Sequence, residues 1–313
     1  MDILNRLVSL AQLRGSVDVM CRFQGNWYVR HAAGRGQGVA HVVTEGSGFM
    51  QSAEGIRQLQ AGDVVFFPRS AEHILSSSAT CDNSGDVPQR SRNGAFIVNE
   101  STGAEEGRLN LFCARFEYDR HADLMDSLPE MLLLDMNGSG LIHLAALLKA
   151  EAASPQHGSE AVVDALASVL LVQILRAYLD QSRVELPEGL LSGWRNPRLN
   201  PLIQDVLNAP EKTWKVEDMA ARANLSRAQL MRLFKRHTGT SPHAFVNRIR
   251  LQQAALMLRQ SNESVLSVAL SSGFQSETHF GKAFKKYYGE TPGSYRKNGR
   301  QTEETQERWI WEI

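Results

Sequence analysis

Two short basic stretches carry the chemistry this sequence offers most directly, which is recognition of a nucleic acid. Arg227, Ala228, Met231 and Arg232 open the first, with Lys235 and Arg236 a turn behind; Glu277, Thr278, Gly281 and Lys282 open the second, followed by Lys285 and Lys286. Arg and Lys match the major-groove acceptors of guanine, Glu accepts from the cytosine amino group, and Thr or Ala can meet the thymine methyl. The trailing basic residues suit phosphates, which position a protein without reading sequence. Ser226 and Ser276 stand where each stretch would begin as a helix, and each can accept a backbone N–H there. Two further groups could do chemistry. His31, His41 and His73 are candidate metal ligands, with zinc the ion that imidazoles suit. Cys21 and Cys113 are a candidate redox pair, provided that a thiolate can form.

The elements that must position the basic stretches follow from apolar spacing. Leu230, Leu233 and Phe234 recur on one face of the first, and Phe280, Ala283 and Phe284 on one face of the second. Each stretch therefore predicts an amphipathic helix, apolar inside and basic outside. A short apolar helix and a tight turn precede each, starting at Val216 and Val265. This is the pattern of a helix-turn-helix unit, whose second helix enters the major groove. A continuous helical pattern from Pro242 to Arg259 separates the two units and would hold them at a fixed spacing. Charge agrees. The chain is neutral overall, yet residues 1–186 hold 15 Lys and Arg against 22 Asp and Glu (−7), and residues 187–313 hold 19 against 12 (+7). The basic half suits DNA and the acidic half does not.

From Asn196 to Arg300 the sequence resembles the AraC/XylS family of bacterial transcription regulators. The resemblance is most specific in Ala269-Leu-Ser-Ser-Gly-Phe-Gln-Ser-Glu-Thr-His-Phe-Gly-Lys-Ala-Phe-Lys-Lys286, then Gly289-Glu-Thr-Pro292 and Tyr295-Arg296. It implies promoter DNA and RNA polymerase as partners, an N-terminal effector domain and a homodimer. Within the family, the opening Met1-Asp-Ile-Leu-Asn-Arg-Leu-Val8 is similar to activators of multidrug efflux, which implies an efflux-pump operon as target and a small hydrophobic effector. A more distant likeness to regulators that respond to reactive chlorine places Cys21 and Cys113 where those proteins also carry cysteine.

In the acidic half, residues 3–13 predict a short amphipathic helix, and from Ser16 to about Tyr118 short strands broken by glycine predict an antiparallel barrel or sandwich. Gly62-Asp-Val-Val-Phe-Phe-Pro68-Arg-Ser-Ala-Glu-His73 resembles the second cupin motif, with Ser70 where that motif usually has glycine. Val39-Ala-His41 keeps one histidine of the first motif's pair. The fold expected is α+β in two domains: 1–186 a cupin-like sensor and dimerisation domain, 187–197 a linker, 198–300 an all-α double helix-turn-helix domain, and 301–313 a disordered tail. The stretch 77–106 reads as a mobile loop with one strand at Ala95–Val98.

Each candidate has a structural alternative. Trp27, Tyr28, Phe49, Phe66 and Phe67 could line an apolar effector pocket or be ordinary core. The three histidines are metal ligands or satisfied structural side chains; the two cysteines are sensors or inert buried thiols. The helix from Ser159 to Gln181 is apolar nearly all round, so it is buried within its domain or against a second subunit. Its most apolar run, Ala165 to Leu175, is about 11 residues and too short to cross a bilayer. Three cysteines without CxxC spacing make no disulfide framework, and no leader precedes the helix, so a cytoplasmic protein without a membrane partner is expected. The broken first cupin motif argues against an enzyme. The alternatives to a ligand-responsive regulator are a redox or metal sensor and, from another class, a cupin enzyme fused to a DNA-binding module.

Overall fold

The computed structural model describes residues 3–34, 37–81, 86–104, 107–136, 139–154, 156–181 and 186–304. In chain order the elements are α1 (Ile3–Leu10), β1 (Arg14–Phe23), β2 (Tyr28–His31), β3 (Gln37–Ser52), β4 (Gly55–Gln60), β5 (Asp63–Phe67), β6 (His73–Ser76), β7 (Gln89–Asn93), β8 (Phe96–Glu100), β9 (Leu109–Glu117), α2 (Asp123–Asp126), β10 (Leu132–Asp135), α3 (Leu141–Ala153), α4 (Ser159–Asp180), α5 (Leu190–Arg195), α6 (Asn200–Asn208), α7 (Val216–Arg222), α8 (Arg227–Thr238), α9 (Pro242–Gln260), α10 (Val265–Ser271), α11 (Glu277–Tyr288) and α12 (Pro292–Glu304). They fall into two compact units. The described parts of residues 13–118 and 129–185 form one, and those of 1–12, 119–128 and 186–309 form the other.

The first unit is a curled ten-stranded sheet in the order β10-β5-β3-β9-β1-β8-β7, with β4 and β6 also on β3 and β2 on β6. Strand β3 makes the curl. Its early residues pair with β5 and β9, while Phe49–Gln51 pair with β6 and Ser47–Ser52 with β4, and the register shifts between Val43 and Glu45. The expected antiparallel pattern holds for the described strands except β1 and β8, which run parallel. Phe23, Trp27, Met50, Val65, Phe67 and Leu111 belong to the apolar cluster inside the curl. Phe66, next to Phe67, packs instead edge-on against Phe116, with centroids 5.7 Å apart, because neighbouring strand residues point to opposite faces.

Two expectations change in this unit, and one departure from a motif is explained. The stretch 77–106 holds a β7–β8 hairpin rather than one strand in a loop; every residue of β7 is exposed, so it carries no apolar signal. Residues 82–85 and 105–106 lie outside the described residues. Helix α4 runs 22 residues and is apolar enough to cross a membrane by length and composition. Even so, Val163, Ala167, Leu170, Leu171, Ile174 and Leu175 are buried, and α4 packs on β1. Ser70 takes a left-handed φ of 44°, which explains why glycine suits that motif position.

The helical unit gathers three separate pieces of chain. Helix α1, expected with the barrel, packs on α6 and α9. Residues 187–197, expected as a linker, hold helix α5 with Leu190 and Leu191 buried. The short segment after β9 is anchored by polar contacts. The buried Asp119 carboxylate accepts from Tyr288 at 3.2 Å, Tyr295 at 3.1 Å and the His121 backbone at 2.9 Å. Burial pushes the Asp119 carboxyl up, but the hydrogen bonds from His121 and Tyr295 outweigh it and hold the group below its ordinary range. The Gln252 amide donates to the His121 carbonyl at 2.6 Å, and Asp123 pairs with Arg248 at 2.9 Å. Helix α12 continues past residue 300 to Glu304; the remaining tail, with Trp309 and Trp311, lies outside the described residues.

Two outcomes are expected. Burial pushes the Asp123 carboxyl up to about 6, against the pull of Arg248 and with a further push from Asp126. The folded state then keeps a proton that the unfolded chain has lost between about pH 4 and 6, so stability falls as pH rises through that window. Denaturation of Asp123→Asn should show a flatter slope there, by up to about one proton, and an unchanged slope would show that Asp123 titrates normally. Secondly, Ser70→Gly should raise the melting temperature of the barrel unit by roughly 2–4 °C, since a left-handed serine costs about 1 kcal/mol more than the extra unfolded freedom of glycine. A fall in melting temperature would show that the Ser70 side chain contributes more than its backbone strain costs.

Candidate functional site

Both predicted reading helices form with the expected caps. Ser226 accepts from the Gln229 backbone at 3.3 Å while the Gln229 side chain accepts from the Ser226 backbone at 2.9 Å, a reciprocal capping box. Ser276 accepts from the His279 backbone at 3.2 Å. The turns ahead of them each need one residue at positive φ, Asn224 at 51° and Gly273 at 88°. Asn tolerates that region. At Gly273 a Cβ would come within 2.7 Å of the Glu211 Cα, so only glycine fits. Leu230 and Phe234 are buried on α8, and Phe280 and Phe284 on α11, while Leu233 and Ala283 are half-buried. Arg227, Ala228, Met231, Arg232, Lys235 and Arg236 are all exposed. Glu277, Thr278, Lys282, Lys285 and Lys286 are exposed too, and Gly281 is half-buried. Arg227 pairs with Glu217 at 3.0 Å with both side chains more than half in solvent, a contact weak enough to yield to DNA.

Inside the barrel unit the three histidines do converge. Strand register is the cause: His31 lies directly opposite His73 on β2 and β6, and His41 opposite Cys113 on β3 and β9. His31 and His73 stack at 4.6 Å, Phe67 also stacks on His73 at 4.0 Å, and His41 Nε2 meets His73 Nε2 at 2.7 Å. Burial is the main cause that drives all three imidazoles towards the neutral form, His73 down to about 4. Cys113 Sγ lies 3.2 Å from His41 Nδ1 and 4.0 Å from Cys21 Sγ. The contact with Cys21 and burial push the Cys113 thiol well up, which disfavours the thiolate that redox sensing needs. The five aromatics do not share one pocket. Trp27 stacks on Phe23 at 4.6 Å and donates its indole N–H to the Gly107 carbonyl at 2.6 Å. Phe67 faces the histidines, Phe66 faces away, and Tyr28 and Phe49 are half-buried.

Two exposed, capped, basic helices behind tight turns are the decisive geometry, and comparison with known proteins agrees with it. The sequence matches a cupin family over residues 2–180 and a helix-turn-helix domain family over residues 219–298. It is 51% identical to the HTH-type transcriptional regulator MtrA of Neisseria gonorrhoeae, over 96% of this chain and 100% of that protein. The chain is a member of the AraC/XylS family. It is also 31% identical to RclR of Escherichia coli, described as an RCS-specific HTH-type transcriptional activator, over 96% of this chain and 99% of that one. Among solved structures, the DNA-binding domain of AdpA in complex with a target DNA is 32% identical, with a TM-score of 0.32, covering 34% of this chain and 97% of that one. The protein is therefore a DNA-binding transcription regulator with an N-terminal cupin domain.

Asp119, His121, Arg248 and Gln252, the anchors of the helical unit, were not singled out from sequence. Nothing in their spacing links them, since Asp119 meets Tyr288 and Tyr295 from more than 160 positions away. Readers and anchors on DNA are separable by mutation. Arg232→Ala should cost roughly 1–3 kcal/mol on the specific site and relax preference at one base pair, whereas Lys285→Ala should weaken all sequences alike and lower the salt slope by about one. Binding measured on specific and random duplexes decides: equal losses on both would make Arg232 a phosphate contact.

Proposed function

We propose that the chain is a cytoplasmic, ligand-responsive activator that works as a homodimer, with the cupin domain as sensor and RNA polymerase as the recipient of the signal at promoter DNA. The observation that carries this reading is connectivity. Strand β9 ends at Glu117, and two residues later Asp119 is held in the core of the helical unit by Tyr288 and Tyr295. A shift of β9 on effector binding thus has a covalent route to the DNA-binding unit. Its resemblance to efflux activators points to an efflux-pump operon and a small hydrophobic effector. A cleft of about 140 Å³ lined by Met20, Leu111, Phe112, Ala152 and Ala153, with Arg22, Glu45 and Lys149, offers such a molecule an apolar wall in the barrel unit. The reading makes the cupin domain a binding domain, not an enzyme.

The dimer is read from what α3 and α4 leave uncovered. Ile142 and Leu147 on α3 are 46% and 57% exposed, and Val162 and Val169 on α4 are 42% and 46%. Leu170 and Ile174, by contrast, are fully buried within the barrel unit, where α4 packs on β1 and α3. Leu147→Asp with Val169→Asp should therefore leave the fold intact and turn a dimer into a monomer, read by light scattering on the full-length protein. An unchanged mass would place the dimer contact elsewhere. Leu170→Asp should instead unfold the unit, because an unpaired buried charge costs several kcal/mol. Transcription in vitro from the target promoter, with and without hydrophobic compounds that raise the melting temperature, tests the activator reading; effector-independent transcription would overturn it.

A further inference from the structure

Two of the three clustered imidazoles already have their outer nitrogen held and their inner nitrogen aimed at the centre. His73 Nδ1 lies 2.7 Å from the Ala71 carbonyl oxygen. A carbonyl can only accept, so the His73 proton sits on Nδ1 and Nε2 presents a lone pair. That lone pair faces His41 Nε2 at 2.7 Å, and the outer Nδ1 of His41 rests 3.2 Å from Cys113 Sγ. His31 stacks on His73 and completes a set whose ligand nitrogens all lie within 4.8 Å of one another. An outer N–H given to a backbone carbonyl or another acceptor is the usual support of a metal-binding histidine, because it fixes both ring and tautomer. Nitrogens around a tetrahedral ion at about 2.0–2.1 Å stand roughly 3.3 Å apart. Small ring movements would bring this set to that spacing without any change of strand register.

We propose that His31, His41 and His73 form a three-imidazole site for a zinc-class transition ion, with the Cys113 sulfur supporting His41 from behind and the fourth coordination position left to water or a small anion. Neutral imidazoles suit zinc, and a nearby thiol adds softness without a buried carboxylate in the ligand set. This site stands independently of the effector and efflux reading.

Full-length protein stripped with a chelator and titrated with zinc(II) against a chromophoric competitor should take up close to one ion per chain. The ion should also raise the melting temperature, as a ligand that prefers the folded state must. His73→Ala and His41→Ala should abolish both effects, while Cys113→Ala should keep the stoichiometry and weaken affinity about 10–100-fold, the usual effect of a supporting partner. If the alanine variants do not fold, His31→Gln and His41→Gln decide by the same two measurements. One-to-one binding that survives any of these histidine substitutions overturns the site. So does a folded, stripped protein that ignores micromolar zinc, which would leave the imidazoles as hydrogen-bonded core. A copper(I) titration in oxygen-free buffer forms the last arm, and displacement of zinc by equimolar copper(I) would overturn the choice of ion.

Discussion

Helix α9 is the constraint on which DNA reading depends. Its 19 residues span about 28 Å, close to the distance of roughly 34 Å between successive major-groove faces on one side of a duplex. The N-terminal half of α9 takes the first reading unit, with Phe245 against Phe234 at 5.4 Å. Its C-terminal half takes the second, with Leu251, Ala254, Ala255 and Leu258 in one cluster with Phe280 and Phe284. Cores packed at crystal density do not let such contacts slide. The two reading helices are thereby fixed in spacing and phase by one rod, and binding energy need not be spent on ordering them.

The same packing explains what the sequence made legible. A reading helix is apolar on one face, basic on the other, capped by serine and closed by Gly239 or Gly289, and all of these are local signals. The unit boundaries are not local. Arg6 reaches the Leu207 carbonyl across 201 positions, and no periodicity near residue 6 announces that. The histidine cluster was legible only as residue types. Val39 through Val43 are all buried on β3, so alternation could not tell which way His41 points; only register, set by β9 and β6, brings the rings together. The aromatic pocket failed for a reason that strand geometry does contain, because Phe66 and Phe67 are neighbours on β5 and must face opposite ways.

Polar groups in the curl of the sheet impose their own discipline. Neutral imidazoles and thiols, each in contact with another, can be buried without the penalty that a lone polar atom carries. Asp18 and Arg115 satisfy a comparable need at 2.6 Å with little exposure. Contacts of this kind hold β1, β3 and β9 in a single register, since a one-residue slip would turn each side chain to the other face. The polar interior thus serves uniqueness of the fold as much as its stability.

The dispersed origin of the helical unit also sets the order in which the protein can be made. Helix α1 leaves the ribosome before the sheet unit, yet its partners on α6 and α9 follow some 200 residues later; the Arg6–Leu207 separation alone is 201 positions. At about 5–20 residues per second, that amphipathic segment waits roughly 10–40 s before its docking surface exists. The sheet unit can close during the delay, so α1 is among the last elements to find its place.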